Sequence, residues 1–199
     1  MSQCVVASNN QGKLREFQSI LQPLNIELIP LAQITNEQAN ETGLSFIENA
    51  ILKARHACQQ SGLAAIADDS GLVIPALAGE PGIFSARYSG ESASDAQNID
   101  LVLQKMAGIK NRQAYFFCAL VYMQHAADPC PLIATGQFHG EITTARSGAG
   151  GFGYDPIFFL TEKNCTAAQL PAEVKNTISH RAIASQALLS MMTSQLKDK

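Results

Sequence analysis

Basic charge is in short supply in this chain. Its 14 lysines and arginines face 17 aspartates and glutamates, a net charge of −3 over 199 residues. A general nucleic-acid binder carries a broad basic field, so nucleic acid is not an expected partner, and an anion would have to be met by a local cluster of cations. No apolar run is long enough to cross a bilayer. Residues 1–9 lack the basic start and apolar stretch of a signal peptide. Neither membrane nor export is therefore expected. The cysteines (Cys4, Cys58, Cys118, Cys130 and Cys165) are odd in number and contain no CxxC pair. That pattern suits free, buried thiols in a reducing cytoplasm better than a disulfide framework. The histidines show no zinc-ligand spacing, and neither a Ser-His-Asp set nor an activated cysteine is evident. There is no internal repeat and no low-complexity tail. With 46% apolar and 16% charged residues the composition is that of an ordinary globular protein, and the length suits one domain or two small lobes.

What the chain does contain begins with a strand over residues 4–7 that runs directly into Ser8-Asn9-Asn10-Gln11-Gly12-Lys13. Leu14, Phe17, Ile20 and Leu21 then share a helical face, with Pro23 as the stop. A strand, a polar turn and a helix start in succession leave backbone N–H groups at a positive dipole end, a ready anion site. Lys13 opposes that dipole, a placement better accounted for when an anion binds there. The loop is not a Walker A sequence, because it has one glycine and Leu14 follows the lysine. Residues 26–29 read as a second strand. Glu41-Thr42-Gly43 leads into Ser45 and Glu48, a capping box opening a helix that Gly62 ends. Phe46, Ile47, Ala50, Ile51, Ala54 and Cys58 form the expected buried stripe of that helix. Glu48 and Lys53 fall beside the stripe, where charge is usually solvated.

Residues 63–67 read as a strand that ends at Asp68-Asp69-Ser70-Gly71, before a further strand over residues 72–74. In an open α/β sheet, ligands bind beyond the strand ends. Adjacent carboxylates repel unless a proton or a divalent cation lies between them; a plain turn would use the same residue types. Ser94 and Gln97 open a second helix with Ile99, Val102, Leu103 and Met106 inward and Gly108 as its stop. Residues 114–123 are almost continuously apolar, as in a central strand covered on both faces, and residues 132–138 can return beside them. The sheet is therefore expected to be mixed.

Gly148, Gly150, Gly151 and Gly153 crowd the segment before Tyr154-Asp155-Pro156. Their entropic cost points to close backbone approach by a ligand or to a closing loop, and Phe152 offers a face on which a base can stack. Ser179 reads as the N-cap of a last helix with Ile183, Ala187, Leu188 and Met191 inward. His180 and Arg181, like Lys13, set cations against a helix N-terminus. Acids and separated cations together suggest a metal-bound polyphosphate. Asp68, Asp69 and Glu41 would hold Mg²⁺ and activate water, and Lys13, Lys53, Lys175 and Arg181 would offset phosphate charge.

Five ordered blocks resemble the inosine/xanthosine triphosphate pyrophosphatases: residues 8–13, 41–50, 67–71, 151–156 and 179–181. The resemblance spans nearly the whole chain. It implies an elongated α/β fold, a mixed sheet flanked by helices, with two lobes, a nucleotide cleft between them, and a homodimer. It implies Mg²⁺-dependent hydrolysis of ITP, dITP and XTP to the monophosphate and pyrophosphate, which clears deaminated purines from the nucleotide pool. By motif, Asp69 resembles the general base and a metal ligand, and Glu41 a metal ligand. Ser8 to Lys13 and Lys53 would contact phosphates. Ser70, Phe152, Gly153, Tyr154, Asp155, Lys175, His180 and Arg181 would line the nucleotide site. Donors facing the purine 6-oxo group, from the backbone, His180 or Arg181, would reject ATP. The competing readings are a Mg²⁺-dependent phosphatase with an aspartyl nucleophile and a nucleotide sensor without turnover.

Overall fold

In the computed structural model, residues 2–8, 14, 17, 18 and 21–197 are described. The strands form one seven-stranded sheet in the order β2-β1-β3-β4-β5-β6-β7. They are β1 (Ser2–Val6), β2 (Ile26–Pro30), β3 (Ala64–Val73), β4 (Gln113–Met123), β5 (Leu132–Ile142), β6 (Phe158–Leu160) and β7 (Cys165–Thr166). The longer helices are α1 (Phe46–Ser61), α2 (Asp95–Lys105), α3 (Ala172–Ile178) and α4 (His180–Lys197). β1 is parallel to both β2 and β3, whereas β5–β6 and β6–β7 are antiparallel. The sheet is mixed, as its sequence indicates. No helix of the described residues is long and apolar enough to cross a membrane.

The chain divides into two compact units: Met1–Asp69, Cys118–Gly136 and Arg181–Lys199 form the first, Ser70–Phe117 and Gln137–His180 the second. Side chains alternate across a strand, and in the first unit this splits the core into two faces. Cys4, Val6 and Ile66 pack with Leu14, Phe17 and Leu21, and with Ala184, Leu188 and Met192 of α4. Val5, Ala65 and Ala67 point the other way and are also buried. There α1 packs on β1, and its buried stripe is Asn49, Ala50, Ala54, Ala57 and Cys58. Small residues let this helix lie close to the sheet, so Phe46, Ile47 and Ile51, expected inward, are only half-buried. In the second unit Leu72, Ile74, Ile99, Val102, Met106 and Phe158 belong to one core.

Caps set the helix ends. Ser45 caps α1 by accepting from Glu48 N, and Gly62 closes it at φ 69°. The returning arm of the expected box is displaced by one residue: Glu48 Oε2 accepts from Leu44 N at 2.9 Å and from the Ser45 hydroxyl at 2.8 Å. Ser94 and Gln97 form the full reciprocal box on α2. α3, which carries Lys175, is an element that the sequence pattern does not announce. All five cysteines are free, with Cys4, Cys58 and Cys118 buried; burial, with a contribution from Cys58, pushes the Cys4 thiol up to about 12.

Two expectations are corrected. Asp68-Asp69-Ser70-Gly71 is not a turn, because β3 runs through it and includes Leu72 and Val73. Turn propensity yields here to the sheet, and Gly71 is required for a packing reason. A Cβ there would collide with the Ser85 hydroxyl and lie 2.5 Å from Gly82 O, and Leu72 N donates to Ser85 Oγ at 2.9 Å. In α4 the buried face is rotated by one residue from the expected one. Ala184, Leu188 and Met192 are inside, while Ile183 and Met191 are 43% and 39% exposed. Leu188→Ala should accordingly cost about 2–5 kcal/mol in urea unfolding, and Met191→Ala should stay within about 0.5 kcal/mol of the parent.

Candidate active site

The parallel pairing of β1 with β3 ends at Val6 opposite Ile66, and Ala7 N donates onward to Ile66 O at 2.8 Å. From β1 the chain passes to β2 on one side and returns to β3 on the other. The carboxyl end of β1, with the stretch of β3 just past its pairing with β1, therefore forms a topological switch point, where ligands collect in open α/β sheets. Ser8 follows β1 there, and Asp68 and Asp69 follow the last paired residue of β3. β3 itself does not stop there but continues to Val73.

Strand alternation then separates the two acids. Asp68 shares the face of Ile66 and meets α4, with Oδ2 3.6 Å from Arg181 Nε and both side chains buried. The cation at the start of α4 thus has a carboxylate within the chain, and no bound anion is needed to explain it. Asp69 shares the face of Ala65 and Ala67 and meets α1, where Lys53 Nζ donates to its Oδ1 at 2.7 Å. Lys53 also lies 3.6 Å from Glu41 Oε1. The lysine expected in solvent is instead half-buried, between carboxylates from two distant segments.

The electrostatics of this group are one-sided. Burial raises the Asp69 carboxyl above its ordinary range, Lys53 opposes the rise, and Glu41 and Asp68 add to it. Burial alone would lower Lys53, but Asp69, Asp68 and Glu41 together hold it above an ordinary lysine. Both shifts favour the protonated forms, Asp69 chiefly because it is buried and Lys53 because the carboxylates beside it outweigh its own burial. Asp69 Oδ2 is buried and lacks a hydrogen-bond partner among the described residues. These are the donors a divalent cation seeks: two carboxylates already sharing one cation, with a spare oxygen. Among the described residues no three His, Cys, Asp or Glu side chains form a ready metal cage. Glu41 and Asp69 could still hold a divalent cation of the kind that takes one or two carboxylates and completes its shell with water.

Ser8, Glu41, Lys53 and Asp68 line a cavity of about 240 Å³. His56 and the segment around Glu37 line it too, residues that sequence reasoning left unplaced. Of the expected phosphate loop only Ser8 is described; Asn9, Asn10, Gln11, Gly12 and Lys13 lie outside the described residues. A larger cavity of about 770 Å³, in the second unit, contains none of the residues assigned by the family resemblance.

The second unit holds the remaining expected residues. Asp155 is 1% exposed, pairs with Lys175 through Oδ2 and accepts from Phe152 N at 2.9 Å. Lys175 Nζ lies 4.4 Å from the Phe152 ring centroid, a cation–π contact, and the ring remains 58% exposed. Gly153 N donates to Asp95 Oδ2 at 2.7 Å, and Tyr154 OH to Ser85 O at 2.8 Å. The His180 ring stacks on Phe116 at 5.1 Å, and Ser70 is half-buried on β3. Three of the four glycines have packing causes inside the chain. A Cβ on Gly148 or Gly150 would strike Ala168 or Gln169, and one on Gly151 would strike the Asp155 carboxylate.

The sequence profile of the Ham1 family matches residues 4–191. A dITP/XTP pyrophosphatase of Legionella pneumophila (strain Lens) is 56% identical over 194 residues, 96% of this chain and 99% of the relative. The dITP/XTP pyrophosphatase of Photorhabdus laumondii is 50% identical, covering 96% and 98%. The structure of a HAM1 protein from Coxiella burnetii superposes with a TM-score of 0.94 at 46% identity, covering 98% of this chain and all 100% of that one. The Staphylococcus aureus Ham1 protein superposes at 0.91 and 40% identity, over 98% and 100%. With a profile match and relatives of this identity spanning nearly the whole chain, the protein belongs to the Ham1 family.

Proposed function

We propose that this protein is a Mg²⁺-dependent nucleoside triphosphate pyrophosphohydrolase that converts ITP, dITP and XTP to the monophosphate and pyrophosphate. The observation that carries the reading is the Lys53 ammonium between Glu41 and Asp69 at the switch point of the sheet. It is joined by curated relatives named dITP/XTP pyrophosphatase at 50–56% identity. Glu41 and Asp69 would hold Mg²⁺, which when bound would draw charge from the triphosphate and steady it. Asp68, which pairs with Arg181 and lines the same cavity, would be a further ligand.

Asp69 orients a water toward the α-phosphorus and takes its proton. The water oxygen bonds to phosphorus as the bond to the α,β-bridging oxygen breaks, and the electron pair leaves with pyrophosphate. Lys53, Ser8 and residues 9–13 meet the phosphate charge. An aspartate is a weak base near neutrality; burial strengthens Asp69, and positioning supplies the rest.

The base is assigned to Phe152, whose exposed ring offers a stacking surface while Lys175 steadies it from one face. The N–H groups of Phe152 and Gly153 are engaged by Asp155 and Asp95. Recognition of the 6-oxo group therefore falls to side-chain donors, among them Lys175, His180 and Arg181, rather than to that stretch of backbone. The homodimer is proposed from the family resemblance, and the cytoplasmic location from the free cysteines.

A triphosphate panel with Mg²⁺ should release pyrophosphate and no inorganic phosphate from ITP, dITP and XTP. ATP should be disfavoured by roughly 10⁴–10⁵-fold in kcat/KM, and chelator should abolish turnover. Release of phosphate, or an isolable phospho-enzyme, would favour an aspartyl nucleophile instead. Asp69→Asn should lower kcat by about 10²–10⁴-fold with its circular dichroism unchanged; near-full activity would refute the role given to Asp69.

A further inference from the structure

Residues 34–45, between the 3-10 turn Leu31–Gln33 and α1, form no regular element, yet they carry Glu41 and wall the smaller cavity. Both ends of the segment are fixed. Ile34 N and Thr35 N donate to Leu31 O at 2.9 and 3.0 Å. Gly43 N and Leu44 N donate to Asn49 Oδ1 and Glu48 Oε2, each at 2.9 Å. Its middle is held from α1: His56 Nε2 lies 3.1 Å from Glu37 O, and Gln60 Nε2 donates to Glu37 Oε2 at 3.2 Å. A carbonyl oxygen only accepts, so His56 Nε2 carries the hydrogen. Lys53, His56 and Gln60 follow at helical spacing on one side of α1. The same side thus supplies the lysine that Glu41 meets and the clamp on the chain just before Glu41. Glu41 itself is about a third exposed (32%) and reaches Lys53 only at 3.6 Å, so its place is set largely by the backbone that bears it.

We propose that His56, backed by Gln60, is a positioning residue: by gripping Glu37 it fixes residues 35–41 so that Glu41 meets the same cation as Asp69. This rests on the reading of the cavity as a metal–triphosphate site. Residues that orient a metal ligand typically govern metal affinity by about 10–100-fold. The full-length protein and its His56→Ala, His56→Gln, Gln60→Ala and Glu41→Gln variants are compared in three ways: Mn²⁺ binding by calorimetry, hydrogen exchange over residues 35–41, and kcat and KM for ITP. His56→Ala should bind Mn²⁺ about tenfold more weakly, exchange faster over residues 35–41 and lose kcat with little change in KM. Gln60→Ala should do the same more mildly, and serves if His56→Ala fails to fold. His56→Gln, which keeps an N–H donor for the Glu37 carbonyl, should recover most of each property. Wild-type exchange and Mn²⁺ affinity in both alanine variants, or His56→Gln as impaired as His56→Ala, would overturn the proposal. If Glu41→Gln leaves Mn²⁺ affinity unchanged, the reading of the site fails and the proposal with it. If Glu41→Gln weakens Mn²⁺ while the alanine variants do not, only the positioning role fails.

Discussion

A lysine held between two carboxylates from distant parts of the chain is the interaction on which the rest of this site turns. Lys53 comes from the third turn of α1, Asp69 from the middle of β3, and Glu41 from the irregular segment before α1. Removing one partner from a buried ion pair leaves an uncompensated charge, a large penalty, so these three elements are bound to one arrangement. The same arrangement is not neutral. Asp69 and Lys53 are both pushed toward their protonated forms, the first mainly by burial and the second by the carboxylates around it. In the function proposed above, a divalent cation and the triphosphate it carries would take the place of this ion pair.

Two regularities of backbone geometry put this cluster where it is. The switch in strand order at β1 leaves its carboxyl end open beside β3, and Ser8 there lines one cavity with Glu41 and Asp68. The alternation of β3 sends Asp68 to α4 and Asp69 to α1, so two neighbouring acids acquire different partners. In the second unit a comparable economy centres on Asp155. One buried carboxylate receives Lys175, caps the N–H of Phe152 and occupies the space a side chain on Gly151 would need. It holds an aromatic ring in solvent with a cation against it.

Much of this could be read in the sequence, and the misreadings share a cause. The caps at Ser45, Gly62 and Ser94, the central strand and the mixed sheet were legible because they rest on local patterns. The continuity of β3 through Asp68 to Gly71 was not, because turn propensity is local whereas the sheet and the Ser85 hydroxyl that require Gly71 lie elsewhere in the chain. Lys53 looked solvated by helical periodicity, since nothing local announces that Asp69 arrives beside it. The apparent conflict of Arg181 with its helix dipole is resolved by Asp68, another nonlocal partner. Three of the glycines before Tyr154 suggested a ligand but answer to Ala168, Gln169 and Asp155. His56 and Glu37 carried no motif, and only the fold brings them to the cavity.

The central claim is that the position shared by Lys53, Asp69 and Glu41 is a cation site that a metal takes over when substrate is present. Anomalous diffraction from crystals grown with Mn²⁺ and a non-hydrolysable ITP analogue tests it directly. The account predicts a manganese peak bonded to Asp69 Oδ2 and to Glu41, with Lys53 turned toward phosphate oxygen. Manganese bound away from both carboxylates, with the Lys53–Asp69 pair intact beneath a bound nucleotide, would contradict it.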